Sequence, residues 1–151
     1  MTTQTLVTST DVRSAYDRIQ PHIRKTPVEH SPWLSQHVDG DAWLKLENTQ
    51  LTGSFKVRGA LNAVLSLEEG SALRGVVAAS TGNHGAGVAH AARIAGVQAR
   101  IYVPENIPDA KLDGIRASGA TIVRNGDDCV DSEAAARAYA ESQDLAFISP
   151  Y

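Results

Sequence analysis

From Asp41 onward, short apolar runs alternate with longer amphipathic stretches, and few folds satisfy that alternation. "AWLKLEN" opens the series as a strand, and "GVVAAS", "ARIYVPE", "ATIVRN" and "LAFIS" continue it. Between them, "SFKVRGALNAVLSLEE", "NHGAGVAHAARIAG" and "PDAKLDGIRAS" read as helices, the last stopped by Gly119. A fourth helix, "DSEAAARAYAESQ", has Asp127 as its expected cap. Strands and helices in strict succession give βαβ units and a parallel sheet. Right-handed crossovers then leave few topologies. The expected class is α/β, an open parallel twisted sheet with helices on both faces. In the first of these helices, Val57, Ala60, Leu61, Val64 and Leu65 form the apolar face.

The N-terminal part is different. Val12, Ala15, Tyr16, Ile19 and Ile23 fall at helical spacing, with Ser9 or Thr10 as cap and Pro21 as the stop. "KTPVEHSPWL" reads as extended, because each residue before a proline is pushed toward β geometry. Residues 1–48 are therefore expected to form a helix and an extended arm, and residues 49–151 a small α/β domain. Trp33 and Trp43 flank the arm and are expected to pack it down, either within this chain or against the half of the fold that it lacks.

Composition narrows the function. An apolar fraction of 42% and a charged fraction of 21% suit a globular protein. A net charge of −3 supplies no basic field, which argues against nucleic acid or an anionic membrane as the main partner. Cys129, the single cysteine, rules out an internal disulfide and reads as a packed or half-exposed thiol. His22, His30, His37 and His90 show no metal spacing and read as surface or helix-face residues, so no metal is expected. Asp127 and Asp128 read as helix caps. "MTTQTLVTST" lacks the features of a signal peptide, and no apolar run is long enough to cross a bilayer, so the expected setting is cytoplasmic.

Two loops carry the chemistry, since open parallel sheets bind ligands at the carboxyl ends of their strands. In "ENTQLTGSFK", Ser54 is the expected cap, which puts Lys56 near the second position of a helix. Exposed N–H groups make a first turn positive, and sequences favour Asp or Glu there. A nucleophilic amine accounts for such a lysine; so does a solvated side chain beside Arg58. The second loop, Ser80 to Gly87, carries three glycines that let the backbone fold tightly, and its N–H groups suit an anion. Asn83 and His84 add directed hydrogen bonds. A dinucleotide-binding loop with Glu105 as the ribose partner is the rival reading. Its glycine spacing is one residue short, and no Tyr-x-x-x-Lys occurs.

Taken together, "TGSFKVRGA" and "STGNHGAGVAHAARIAG" resemble the fold-type II pyridoxal-phosphate enzymes, specifically the threonine/serine dehydratase branch. "IRKTPVEHSPWLS", "WLKLENTQLTG", "IYVPENIPDAKLDGIRASGATIV" and the terminal "FISPY" fall where that family has similar segments, so the resemblance covers nearly the whole chain. It implies that Lys56 binds pyridoxal phosphate covalently, that Phe55 packs beside the cofactor and that Asn83 hydrogen-bonds its ring hydroxyl. Ser80, Thr81, Gly82, Asn83 and His84 would hold the carboxylate of a small hydroxyamino acid. The implied reaction is β-elimination from L-threonine or L-serine, with the freed lysine amine taking the α-proton, to give a 2-oxo acid and ammonia.

Departures qualify the implied activity. Ala86 stands where the family commonly has glutamine, and Thr81 where it has alanine or serine. The family's chains are considerably longer and carry a glycine-rich phosphate loop, whereas no two glycines are adjacent here. The chain is therefore expected to be an N-terminal fragment with little or no turnover alone, its parent a homo-oligomer. A serine racemase or threonine synthase relative is one alternative, and a non-catalytic α/β module that binds a small anion or a protein is another.

Overall fold

Side chains that alternate along two central strands decide where the helices go. The computed structural model describes residues 6–67 and 74–150. Its sheet is built from β3 (Val76–Ala79), β4 (Ala99–Val103), β5 (Thr121–Arg124) and β6 (Ala146–Phe147). All four strands are parallel, in the order β5-β4-β3-β6. Val76, Ala78, Ile101 and Val103 are buried with Val57, Ala60 and Leu61 of α3 (Lys56–Leu65) and with Val88 and Ala92 of α4 (Asn83–Ala95). Val77 and Tyr102 point the other way, onto Ala136 and Ala140 of α6 (Cys129–Ser142). The sheet is therefore covered on both faces, as the alternation requires.

The chain steps outward from β3 to β4 to β5, and α6 then carries it back across the sheet to β6, beside β3. Val76 pairs with both Ala99 and Ala146, so β3 is the central strand where the order reverses. In a doubly wound sheet, the crevice at such a reversal, outside the carboxyl ends of the strands, is where ligands bind.

Several expected elements differ. "AWLKLEN" contributes β2 (Trp43–Lys45), which pairs antiparallel with β1 (Val28–His30) in a separate two-stranded sheet. All its residues are exposed, and it lacks the continuous apolar run of a strand buried on both faces. The extended segment turns helical at α2 (Pro32–Val38), where Ser31 caps the Leu34 N–H and proline takes the first turn. Among the described residues Trp33 and Trp43 do not pack the arm down within this chain; they are 65% and 61% exposed and lie against His37 and His30. Thr8, not Ser9 or Thr10, caps α1 (Ser9–Ile19), through a capping box with Asp11. Pro21 lies in the 3-10 turn that ends it, as expected.

Asp128, not Asp127, caps α6, its carboxylate accepting the Val130 and Asp131 N–H groups. The helix expected in "PDAKLDGIRAS" is a 3-10 turn, Asp109–Lys111, followed by the single turn α5 (Asp113–Arg116). Glu68 and Glu69, the expected end of α3, lie outside the described residues, as does Tyr151.

Glu47 ties the arm to α3. Its carboxylate accepts two hydrogen bonds from the Arg58 fork, at 2.8 and 2.7 Å, and one from the Thr26 hydroxyl at 2.5 Å. The buried amide of Gln50 completes the clamp, accepting the Arg24 N–H and donating to the Arg24 carbonyl, both at 2.9 Å. Above all the Arg58 hydrogen bonds hold the Glu47 carboxyl down to about 2, against the burial that opposes them. A carboxyl depressed in the folded state stabilises fully above its unfolded value, and that contribution is lost as pH falls through the folded one. Urea denaturation at a series of pH values should therefore show stability falling between pH 4.5 and about 2. Glu47→Gln should flatten that dependence and cost about 2 kcal/mol at neutral pH, because Arg58 loses its partner.

Candidate active site

Lys56 is the first residue of α3, one position earlier than expected, and Phe55 precedes it without a side-chain cap. The Ser54 hydroxyl accepts the Lys56 N–H at 3.4 Å, from the position before the cap instead of from the cap itself. The Lys56 amine is half-buried and donates to the carbonyl of Pro150 at 3.0 Å. Among the described residues no carboxylate pairs with it. Phe55 is 60% exposed, its ring centroid 5.7 Å from the Lys56 amine.

The second loop leaves β3 at Ser80 and enters α4 through Gly82. That residue brings no side-chain cap, so the first-turn N–H groups of α4 are left to other partners. The Ser80 hydroxyl accepts the Gly82 N–H at 3.3 Å, and open space lies where a Gly82 side chain would stand. Asn83 is exposed at the first helical position. His84 is buried, and its Nε2 lies 3.0 Å from the Ile148 carbonyl. A carbonyl only accepts, so Nε2 carries the proton. Burial lowers the imidazole's pKa, Lys56 adds to the effect, and the Ile148 bond opposes it.

The glycines act differently from the tight loop expected of them. Gly85 and Gly87 lie inside α4, where they allow close approach. A Cβ on Gly85 would stand 2.9 Å from the Ser80 carbonyl and 3.0 Å from the Ile115 side chain. One on Gly87 would stand 3.3 Å from the Ala60 Cβ and from the Lys56 carbonyl. The helices carrying the two loops are thus held together at their N-terminal ends.

Ser80, Thr81 and Pro150 also line a cavity of about 180 Å³ at the carboxyl end of the sheet, closed by Tyr102, Ser132 and Glu133. Lys56 and His84 reach the same stretch of backbone, residues 148–150, from the α3–α4 side. Phe55 and Asn83 border this crevice in sequence but remain exposed. Reading residue types missed the Ile148 and Pro150 carbonyls, since any residue supplies one, and it missed Tyr102, Ser132 and Glu133. Cys129 is exposed instead of packed, at the first position of α6. His90 is buried, with an Nε2 that has no hydrogen-bond partner among the described residues.

An amine, two adjoining helix N-termini and a strand-order reversal define a doubly wound fold built to take a small ligand. The sequence profile of the pyridoxal-phosphate dependent enzymes matches residues 19–151. The chain belongs to that family. It is 37% identical to the catabolic L-threonine dehydratase of Staphylococcus aureus, an alignment that covers all of this chain and 46% of that protein. A serine racemase from Dictyostelium discoideum superposes with a TM-score of 0.86 at 36% identity, covering 96% of this chain and 47% of that one. The processed form of threonine deaminase isoform 2 from Solanum lycopersicum superposes with a TM-score of 0.83 at 29% identity, covering 99% of this chain and 42% of that one. The chain thus spans less than half the length of the curated relatives it matches.

Gly85→Ala tests the packing that holds the second loop in place. The added methyl must displace the Ser80 carbonyl or Ile115, and chemical denaturation should show a loss of about 1–3 kcal/mol.

Proposed function

We propose that this chain supplies the lysine-bearing part of a pyridoxal-phosphate-dependent ammonia-lyase acting on L-threonine or L-serine. The observation that carries the reading is the Lys56 amine, half-buried beside the uncapped α4 terminus and held by a neutral carbonyl in place of a carboxylate. These residues fit the cofactor at its reactive end: an amine with no ion pair among the described residues, open space at Gly82, and Asn83 and Phe55 exposed to receive a ring. Lys56 would bind the cofactor covalently, Phe55 would lie against it and Asn83 would hydrogen-bond its hydroxyl. When bound, pyridoxal phosphate supplies the electron sink for the bonds at the substrate's α-carbon.

The chain's own residues divide the remaining work. The N–H groups at the start of α4, with Ser80 and Thr81, hold the substrate carboxylate, since a helix N-terminus favours an anion. The Lys56 amine, steered by its hydrogen bond to the Pro150 carbonyl, takes the α-proton. His84 orients the crevice through Ile148 without exposing its own ring. Loss of the β-hydroxyl then leaves a product that hydrolyses to a 2-oxo acid and ammonia. The Dictyostelium relative is a serine racemase, and the Thr81 hydroxyl on the cavity wall is the group a racemase reading would use as its second proton carrier.

Borohydride reduction after incubation with pyridoxal phosphate, followed by peptide mapping, tests the reading. A single adduct on the Lys56 peptide, absent from Lys56→Ala, is the expected result. Equal labelling of scattered surface lysines in both proteins would remove Lys56 from the proposal. With a longer parent protein, 2-oxo acid release from L-threonine or L-serine identifies the lyase, and inversion without ammonia identifies a racemase.

A further inference from the structure

On the far side of α3 from the crevice, the arm and α1 enclose a cavity of about 380 Å³ whose walls carry four cations. Arg24, Lys25, Lys45 and Arg58 line it together with Tyr16, Gln20 and Ile23; the lining itself has no carboxylate, and Glu47, behind it, offsets part of the charge of Arg58 and Lys45. Arg58 alone of the four has an ion-pair partner among the described residues, namely Glu47. The sequence has 14 lysines and arginines and a net charge of −3, so four of them around one concavity is a local reversal of the protein's charge. Like charges gathered in this way repel one another, and an anion among them relieves the repulsion.

The cations are also positioned. Arg24 is fixed at its backbone by the two hydrogen bonds to buried Gln50, and its guanidinium donates to the Thr49 carbonyl at 3.0 Å. Lys45 donates to the Thr26 carbonyl at 2.6 Å, and Arg58 is held by Glu47 at 2.7 Å. Each of these groups keeps further donors free, because a guanidinium has five N–H groups and an ammonium three. We propose that this cavity is a binding site for a small multivalent anion of phosphate or carboxylate type. Two arginine forks and two lysine point charges suit oxygens carried on more than one centre, and the volume falls in the range of small-ligand pockets. Such a ligand would cross-link the arm to α3 at Arg58, two positions from Lys56, without touching the crevice.

Isothermal titration of the chain with pyrophosphate and, separately, citrate at low ionic strength tests this. Saturable one-to-one binding of either probe is expected, weakening as salt is added. Lys25 is exposed, so Lys25→Glu is the informative variant, and it should lower the affinity about tenfold or more. Lys111→Glu, in the 3-10 turn before α5 and outside the cavity lining, should leave affinity unchanged. Amide NMR shifts on adding the probe should concentrate at residues 24–26 and 45–47. Binding that survives Lys25→Glu but is lost in Lys56→Ala would place the anion at the α4 terminus and overturn the proposal. So would non-saturable binding, or absence of binding by both probes. Pyrophosphate without citrate, or the reverse, assigns the anion's chemistry.

Discussion

The close contact between α3 and α4 is the constraint on which the site depends. With no side chain at Gly87, α4 can lie against the Lys56 carbonyl and Ala60, at distances where even a methyl group is crowded. Helices that touch this closely must keep small residues at the crossing, and Ala60 and Gly87 are such a pair. The crossing falls at the first turn of α3 and the second of α4, so both N-termini end up side by side. Neither N-cap residue supplies a side-chain cap, although Ser54 accepts the Lys56 N–H from one position earlier. Two helix N-termini brought this close add their partial positive charges in one region.

The sheet places this pair of termini. β3 feeds α4 on one face, while β6 arrives beside β3 from α6 on the other, and the backbone beyond β6 closes the crevice between them. Ile148 keeps one strand-like hydrogen bond, its N–H donating to Val77 at 2.8 Å. Beyond it, the carbonyls of Ile148 and Pro150 accept from side chains in place of a strand. The donors come from His84 and Lys56. The same contacts that satisfy this backbone also fix the imidazole and the amine, so the fold's hydrogen-bonding needs and the site's geometry are met by the same atoms.

How far this was legible in the sequence follows from what each signal encodes. Continuous apolar runs such as "GVVAA" and "RIYV" mark strands buried on both faces, and the parallel sheet and its helices appear where those runs fall. "WLK" is equally apolar at a glance but has no such continuity, and it pairs in a separate exposed ribbon. Caps shift by a residue or two because adjacent polar residues compete for the same N–H groups: Thr8 against Ser9, Asp128 against Asp127. Lys56, Ser80 and Thr81 were legible as site candidates through loop position. Glu133 and Ser132 were not, because they lie in the first turns of a helix that reaches the site only through the crossover from β5 to β6. Backbone carbonyls leave no trace in residue identity at all.

The position of Lys56 remains the most informative local violation. A cation in a first helical turn is unfavourable by roughly 0.3–1 kcal/mol, and α3 carries no acidic residue there to offset it. A purely structural lysine would relieve the conflict by extending into solvent or by pairing with a carboxylate. Instead Glu47 is given wholly to Arg58 and Thr26, and Lys56 turns inward to a neutral carbonyl. Arg58 thus anchors the arm through Glu47, and among the described residues no carboxylate pairs with the Lys56 amine. An amine so placed, with no carboxylate partner among the described residues, suits the nucleophilic role proposed for it. Where a sequence sets aside a local preference and the fold supports the departure with its own contacts, the departure points to use, not to accident.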